Sequence, residues 1–573
     1  MPVLSCMDLP TEIWNECCAL IPKKGLKNLA LTCHFFHDVS LPFLFEKIAC
    51  RFAIVSFEKF PSGEKIPEEL LQILTKVLKH FAEAAASEKH VAHVQNCIFG
   101  FEAVEIHQGH NTFGLERCTA PWVTLAFEIL AQGFIASLPQ FTEVRQVVIS
   151  GFNNMSLGEG LYTALAALPH LHATEFEDFI FSAHTNPPRL NLRNVQIDNA
   201  NDNDILNEPW NIPDIFSCQE LRNLTLYSIP YAANLFRALS LEGCPQLVNL
   251  SIMLHQNCGI PELYSFLESC PNLTTIRVES TELSDTVIIL PLPASTIPCL
   301  SEFSGPAPFA AAFIPGRPVG CVKISVNLEK PPDAPDVRQN ILDKSLDLEE
   351  AHLQSLFSSI SQSTVSITDI FISYMACRPE FLALVAKYFP ELKNFTLDSD
   401  ACFGLLFPRK LCGCCGSFSS YLPIGDLIGQ DPHSSVSDNY LELENDRLVP
   451  VLMHDKYMPI LHWFAVNGVK FAENLETLNF RAHLPSKFCQ KDEGKLIENC
   501  RLFGRPYTAN LANSILNKLG DNHSVLRKIR VDDELCWTKM WRVRGGLLKG
   551  AQLRRGLRVG RVGLVLQILD IFL

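Results

Sequence analysis

The chain has 573 residues, of which 47% are hydrophobic and 19% charged, and its formal net charge at pH 7 is −14. This apolar content, with a mean hydropathy of +0.12, excludes a largely disordered protein. The negative balance argues against the broad basic surface that nucleic-acid binding requires, so no nucleic-acid partner is expected.

The amino terminus predicts no secretory signal, because residues 1–20 lack a basic start and Asp8, Glu12 and Glu16 interrupt any apolar stretch. No run of about 18 uncharged apolar residues occurs, so we expect no membrane span. The 21 cysteines are then expected to be reduced thiols, packed mostly as small hydrophobes, in a cytoplasmic or nuclear protein.

Three short helices are predicted over residues 9–45, whose sequence is LPTEIWNECCALIPKKGLKNLALTCHFFHDVSLPFLF. Pro10 suits the start of a helix, and Glu12 lies in the first turn, where the helix dipole favours an anion. Apolar residues recur at helical spacing on both sides of a break at Pro22 and Gly25. A segment of about forty residues buries too little surface to be stable alone, so we expect it to have a partner.

This segment resembles the F-box, through which substrate receptors of SCF-type (cullin-RING) ubiquitin ligases dock on their adaptor subunit. The resemblance rests on Leu9-Pro10-x-Glu12-Ile13, on the second-helix leucines Leu26 and Leu29, and on Leu31-x-Cys33-x-x-Phe36. It implies an F-box over residues 5–50. The adaptor-binding residues that it implies are Leu9, Pro10, Ile13, Ile21, Leu26, Cys33 and Phe36.

Two positions depart from the F-box pattern. Cys17 stands where the family prefers a larger aliphatic residue, and Gly25 where it usually has a polar one. The alternative interpretation of the segment is an ordinary helical hairpin packed on the body of the protein.

Residues 51–140 fit neither the F-box pattern nor the repeats that follow. Apolar residues at helical spacing predict an amphipathic helix from Pro67 to Ala86, and a second helix is predicted from Trp122 to Leu138. We therefore expect a helical adapter that caps the first repeat.

A six-residue pattern, apolar-x-x-apolar-x-apolar, recurs over residues 141–541. Its clearest copies begin 26 residues apart, at Leu221, Leu247 and Leu273, each after a Cys-Pro or Cys-Gln pair. Further copies begin at Val144, Leu192, Leu392, Leu475 and Leu526, with poorer ones at Leu171, Val319 and Ile367. Helix-like segments lie between several copies, and a period of about 20 to 29 residues is typical of leucine-rich repeats. Each repeat buries its apolar faces only by stacking on its neighbours.

The repeats resemble those of divergent F-box proteins of fungi. The expected fold is α/β: a helical F-box followed by an irregular leucine-rich-repeat-like solenoid, with parallel strands on one face and helices on the other. The asparagine or cysteine that usually follows each strand is missing, so we expect no side-chain ladder there. Those positions hold Ile229, His255, Thr281, Asp400 and His483. A generic α/β domain is the alternative.

Two insertions interrupt the repeats. Residues 284–338 are rich in proline and predict a long loop with one short strand, and residues 399–470 separate two strand signals. Insertions in solenoids form loops on one face, often the binding face. Residues 542–573 form a basic and apolar tail without the repeat pattern. Two interpretations stay open: a basic amphipathic segment that contacts an anionic membrane surface or nucleic acid, and a mistranslated extension of the reading frame.

The sequence favours no catalytic or cofactor site. It lacks the Gly-x-Ser-x-Gly, Walker, His-Glu-x-x-His and Gly-x-Gly-x-x-Gly motifs, so neither an enzyme nor a cofactor is expected. Cys412, Cys414 and Cys415 lie near Cys402, but no second spaced pair completes a zinc site, and we expect loop thiols rather than a metal. Structural zinc, and an enzyme with a cryptic site within 399–470, stay as alternatives.

The resemblance implies a non-catalytic substrate receptor that binds the adaptor and, through it, cullin, and recruits an unknown target protein through its repeats. The alternative is an interaction scaffold acting outside a ubiquitin ligase. The outward positions of the strands are the expected target surface, with Arg277, Glu279, Asp398 and Arg481 as candidate residues. This mixture of charges suits a protein surface better than a nucleic acid.

Overall fold

The computed structural model describes the chain in separate stretches: 9–56, 65–109, 112–117, 120–151, 158–177, 188–198, 216–227, 232–254, 259–280, 289–325, 350–373, 379–400, 471–483, 517–519, 521, 523–531 and 535–538. These residues belong to two compact units, the first ending at Leu273 and the second beginning at Thr274. Residues 401–470, with the cluster of Cys412, Cys414 and Cys415, and the tail 542–573 lie outside the described residues.

The first unit begins with the three helices predicted from the sequence. They are α1 (Thr11–Ala19), α2 (Lys23–Ala30) and α3 (His34–Phe45). Pro10 and Pro22 stand immediately before α1 and α2, where the missing proline N–H costs no helical hydrogen bond. The helices pack around Cys18, Leu26 and Val39.

The segment 51–140 is not the purely helical adapter that we expected. Its described elements are β1 (Lys47–Ser56), α4 (Glu68–Ala86), α5 (Glu88–Val91), β2 (Asn96–Gly109), β3 (Thr112–Arg117), α6 (Pro121–Ser137) and a 3₁₀ turn (Leu138–Gln140). Both predicted helices are present, but β1 pairs in parallel with β2, and β2 with the first strand beyond residue 141. The repeats therefore begin at Lys47. Cys97 and Phe99, both buried, occupy positions that Leu, Ile or Val fills in the clear copies, which hid the pattern.

The rest of the first unit alternates strands with helices or loops. Its elements are β4 (Gln146–Ser150), α7 (Gly158–Ala166), β5 (Ala173–Glu177), β6 (Asn194–Asp198), β7 (Asn223–Tyr227), α8 (Ala232–Glu242), β8 (Asn249–Leu254) and α9 (Ile260–Glu268). The strands pair in parallel in the order β1-β2-β4-β5-β6-β7-β8, and β3 joins β2 as an antiparallel hairpin. Alternate residues, such as Leu224 and Leu226 in β7, are buried because side chains alternate along a strand.

The second unit continues the same alternation. Its elements are β9 (Thr275–Ser280), β10 (Glu302–Pro306), α10 (Ala307–Phe313), β11 (Cys321–Ser325), α11 (Glu350–Ile360), β12 (Asp369–Ser373), α12 (Pro379–Tyr388), β13 (Asn394–Asp400), β14 (Thr477–His483), β15 (Lys528–Val531) and β16 (Leu535–Thr538). Strands β9 to β15 are parallel in sequence order, and β16 pairs antiparallel with β15. Every copy of the six-residue pattern predicted in either unit coincides with a strand. The fold is thus mixed α/β, with solenoid-like parallel strands.

The proline-rich segment 284–338 differs from the expected loop with one short strand. Its described part, 289–325, contains two strands and the helix α10. The buried Arg317 organises the turns around them by donating hydrogen bonds to five carbonyl oxygens, those of Leu292, Pro293, Thr296, Phe313 and Pro315. Of these carbonyls, that of Pro293 also accepts a hydrogen bond from the Thr296 N–H, at 2.9 Å. A proline-rich segment has few backbone N–H donors, so the guanidinium supplies donors that the backbone does not.

A ladder of asparagine side chains is present, but not at the positions after the strands, where leucine-rich repeats usually carry one. Asn249 donates a hydrogen bond to the Asn223 side-chain oxygen, and Asn223 donates to that of Asn194. Each is the first residue of its strand, so the ladder lies where the strands begin and not after they end.

Ten cysteines whose side chains the structure describes are free thiols, and six of these ten are buried. Among them Cys218, Cys244 and Cys270 precede successive strands at the repeat spacing. The hydrogen bond with Cys244, together with burial, raises the pKa of the Cys218 thiol. These residues pack as small hydrophobes, as predicted.

Helix α6 with its 3₁₀ extension, Pro121–Gln140, is the one described helix long and apolar enough to cross a membrane by length and composition. Core helices pass the same test. Trp122, Phe127 and Phe134 are buried, and the rings of Phe127 and Phe134 pack against Phe99 of β2. The helix is therefore part of the core of the first unit.

Candidate functional site

The amino-terminal helices expose an apolar surface. Four of the ten strongly exposed large hydrophobic residues that the structure describes lie within 9–45: Leu9, Ile13, Leu20 and Leu31. Pro10 is exposed beside Leu9 and Ile13, which are 42% and 43% exposed. This concentration is what three helices with too few partners for their apolar side chains should show.

An aromatic cluster supports this surface from within. The Trp14 ring meets Phe36 edge to face, with centroids 4.9 Å apart, and Phe35 with centroids 6.3 Å apart. Edge-to-face contacts of this kind stabilise a packed pair by about 0.5–1.5 kcal/mol beyond burial alone. The cluster fixes the position of α1 against α3, and with it Leu9 and Ile13.

The predicted adaptor-binding residues divide into exposed and buried members. Leu9, Pro10, Ile13 and Cys33 are exposed, whereas Ile21 and Phe36 are partly buried. Leu26 is only 3% exposed, so it holds the helices together and offers no docking surface in this arrangement.

Gly25, one of the two departures from the F-box pattern, has a packing reason. A Cβ atom at this position would lie 2.7 Å from Ile21 Cγ2. Glycine therefore allows Ile21 to pack against the start of α2, where a larger residue would displace it.

The second expected surface, on the strands, is divided. Arg277 and Glu279 form an ion pair of 2.6 Å on β9, and both side chains retain solvent exposure. Asp398 on β13 is opposite Arg481 on β14 in the strand register. Strands β9 and β13 are four positions apart in the sheet, or about 19 Å, so the four residues do not form one compact site.

Asp398 is also less accessible to solvent than we expected for an outward position of its strand. It is 4% exposed, so it is not available to contact a target in this structure. Alternation along a strand predicts which face a residue occupies, but it does not predict what covers that face. The side chain of Arg481 lies outside the described residues, so its role stays a prediction.

A basic column in the first unit was missed by the sequence reasoning. The first x position of four successive six-residue patterns holds Arg145, His172, Arg193 and Arg222. These residues lie immediately before β4, β5, β6 and β7, at the end of the sheet where the strands begin. Aligning the repeat copies and comparing one position across them would have shown this column.

No group of three or more His, Cys, Asp or Glu side chains in the described part of the chain is placed to hold a metal ion. No protein-family model matches the sequence, and no curated protein matches it significantly.

Proposed function

We propose that this chain is a non-catalytic substrate receptor of an SCF-type ubiquitin ligase. Its amino-terminal helices bind the adaptor and, through it, cullin, while its repeats recruit a target protein. The observation that carries the proposal is the exposure of Leu9, Pro10 and Ile13 on a small helical cluster, because these residues belong to the motif that resembles the F-box.

The energetics of this surface are compatible with docking. Complete burial of one aliphatic side chain contributes about 1.5–3 kcal/mol. Leu9, Ile13, Leu20 and Leu31 together offer several such contributions, from which the cost of association must be subtracted. The helices join the strand repeats directly, so the proposed adaptor-binding element and the proposed target-binding body belong to one chain.

The test is co-purification of the full chain with the adaptor, followed by an affinity measurement. The variant Leu9→Ala/Ile13→Ala should weaken adaptor binding by about 100-fold, since it truncates two apolar contacts. The matched control is Leu71→Ala/Ile73→Ala on α4, because these residues are of the same types and are 41% and 44% exposed. The control should bind like the unchanged chain.

The proposal fails if Leu9→Ala/Ile13→Ala retains the adaptor at full affinity while its circular dichroism spectrum is unchanged. Cullin in the same purification distinguishes a ligase receptor from a scaffold that binds the adaptor outside a ligase. A receptor also predicts that one cellular protein accumulates when this chain is removed.

A further inference from the structure

A cavity opens at the entrance to strands β4, β5 and β6 of the first unit. Its volume is about 700 Å³. Its polar lining consists mainly of basic side chains and one acid: Arg145, His170, His172, Arg189, Arg193 and Glu220. The lining therefore carries two net positive charges before either histidine is protonated, in a chain whose formal net charge is −14.

The backbone fixes the spacing of the basic column. The His172 N–H donates to the Arg145 carbonyl at 3.0 Å, and the Arg193 N–H donates to the His172 carbonyl at 2.8 Å. Neighbouring strands lie about 4.7–4.9 Å apart, so these three side chains leave the sheet at that interval. Their arrangement is a property of the repeat and does not depend on a mobile loop.

The acids near this column neutralise it only in part. Arg189 is paired with Glu242, and Arg193 reaches Glu220 at 3.9 Å. Arg145 forms no ion pair within the part of the chain that the structure describes. Arg145 therefore faces the concave site without an acid beside it among the described residues, and Arg193 has only the distant Glu220. The three arginines and the two glutamates together leave one excess positive charge.

The His172 imidazole is affected by the positive charges that line the cavity. Its Nδ1 atom is buried and has no hydrogen-bond partner among the described residues. Burial lowers the pKa of this imidazole, and the charges of Arg193 and Arg145 lower it further. A bound anion would offset these two charges and supply an acceptor for a protonated ring.

We propose that this cavity binds the phosphate group of a small phosphorylated ligand. A phosphate carries about −1.5 to −2 charges at pH 7 and three acceptor oxygens, so it suits a site lined by three guanidinium groups better than a carboxylate does. Guanidinium groups bind phosphate oxygens in pairs through their planar fork. The volume lies within the range of about 300–1,000 Å³ that is typical of small-molecule sites. The site stands independently of the adaptor-binding function.

The test is calorimetric titration of the full chain with tripolyphosphate, and with citrate at the same ionic strength as a carboxylate control. Tripolyphosphate should bind at least about tenfold more tightly than citrate, because each phosphate group carries more negative charge and more acceptor oxygens than a carboxylate, and both can bind a guanidinium through two oxygens. Arg145→Ala/Arg193→Ala should weaken tripolyphosphate binding by about 100-fold, since each charge-assisted bond is worth about tenfold.

The matched control is Arg222→Ala. Arg222 continues the same column one strand further but does not line the cavity, so its removal should change affinity by less than about threefold. Arg145→Lys provides a second variant that keeps the charge and removes the fork, and it should also lose affinity while its melting temperature is unchanged.

Three results would overturn the proposal. The first is equal binding of citrate and tripolyphosphate, and the second is binding by Arg145→Ala/Arg193→Ala at the affinity of the unchanged chain. The third is an equal loss in Arg222→Ala, which would show a diffuse attraction of anions to the column and no defined site.

Discussion

Asn223 and Asn194 are joined by a side-chain hydrogen bond between neighbouring parallel strands, in which the Asn223 amide group donates to the Asn194 side-chain oxygen. Because Asn223 also accepts from Asn249, it is the middle member of a three-residue ladder. The ladder ties β6, β7 and β8 together at their first residues, where the register of the repeats is set.

Replacing Asn223 with Ala should lower the free energy of unfolding by about 1–3 kcal/mol, because it breaks two hydrogen bonds and removes the partner of the partly buried Asn194 and of the exposed Asn249. Urea denaturation measures this change. Thr225→Ala is the control, since Thr225 lies on the same strand and the same face and is also partly buried. Equal effects of the two substitutions would show that the ladder contributes nothing beyond ordinary packing.

Replacing the buried Arg317 with Met should cost about 3 kcal/mol or more of unfolding free energy. Methionine fills much of the volume but removes the charged donor from five carbonyl oxygens, of which that of Pro293 keeps the Thr296 N–H. Thermal unfolding of the full chain measures the effect. Arg237→Met on the exposed face of α8 removes an ion pair with Glu262 and should cost less than about 1 kcal/mol. A small effect at Arg317 would contradict its role in the turns.

The His172 imidazole should titrate below its ordinary pKa of about 6.5. The folded chain therefore binds this proton less readily than the unfolded chain, so the contribution of His172 to stability is complete above about pH 6.5 and declines as the pH falls through that value. Proton NMR titration measures the pKa, with His172→Gln to assign the signal. Tripolyphosphate should raise this pKa, and no upward shift on saturation would count against the anion site.

Iodoacetamide should modify the exposed Cys33 in the free chain, and the adaptor should protect it, because Cys33 belongs to the proposed docking surface. Peptide mass spectrometry measures the extent of modification. Cys299, also exposed but in the second unit, should be modified equally with and without the adaptor. Buried Cys18 should react slowly in both cases. Unchanged reactivity of Cys33 in the complex would place the adaptor elsewhere.

The strands were predictable wherever the apolar positions held aliphatic residues, as at Leu221 and Leu247. Copies with Phe395, Phe480 or Thr174 at such a position were still recognised, but the pattern was missed where Cys97 or Gly305 occupies it. Strand β10 escaped notice because Gly305 replaces its last apolar residue, and a Cβ there would lie 2.9 Å from the Val278 carbonyl oxygen. Position 305 requires glycine because the backbones of β9 and β10 approach closely there. The six-residue apolar pattern therefore lacks its last apolar residue in β10.

The sites were less predictable than the fold, because exposure depends on residues distant in sequence. The helical pattern placed Leu9 and Leu26 in one motif, yet the structure exposes the first and buries the second. The arginines of the column are ordinary polar positions within each repeat. Only the pairing of β4, β5 and β6 brings Arg145, His172 and Arg193 side by side.

Helix α3 passes into β1 without a linker. The Glu46 carbonyl, at the junction, accepts hydrogen bonds from the Gln95 and Asn96 N–H groups, both at 2.9 Å, and Phe45 stacks on His90 with ring centroids 4.0 Å apart. A flexible tether would let the helices sample many orientations and would lose that freedom on assembly. Here the helices lose their orientational freedom during folding and not on assembly. A partner that binds the helices of the first unit therefore also fixes the direction of the strands in that unit.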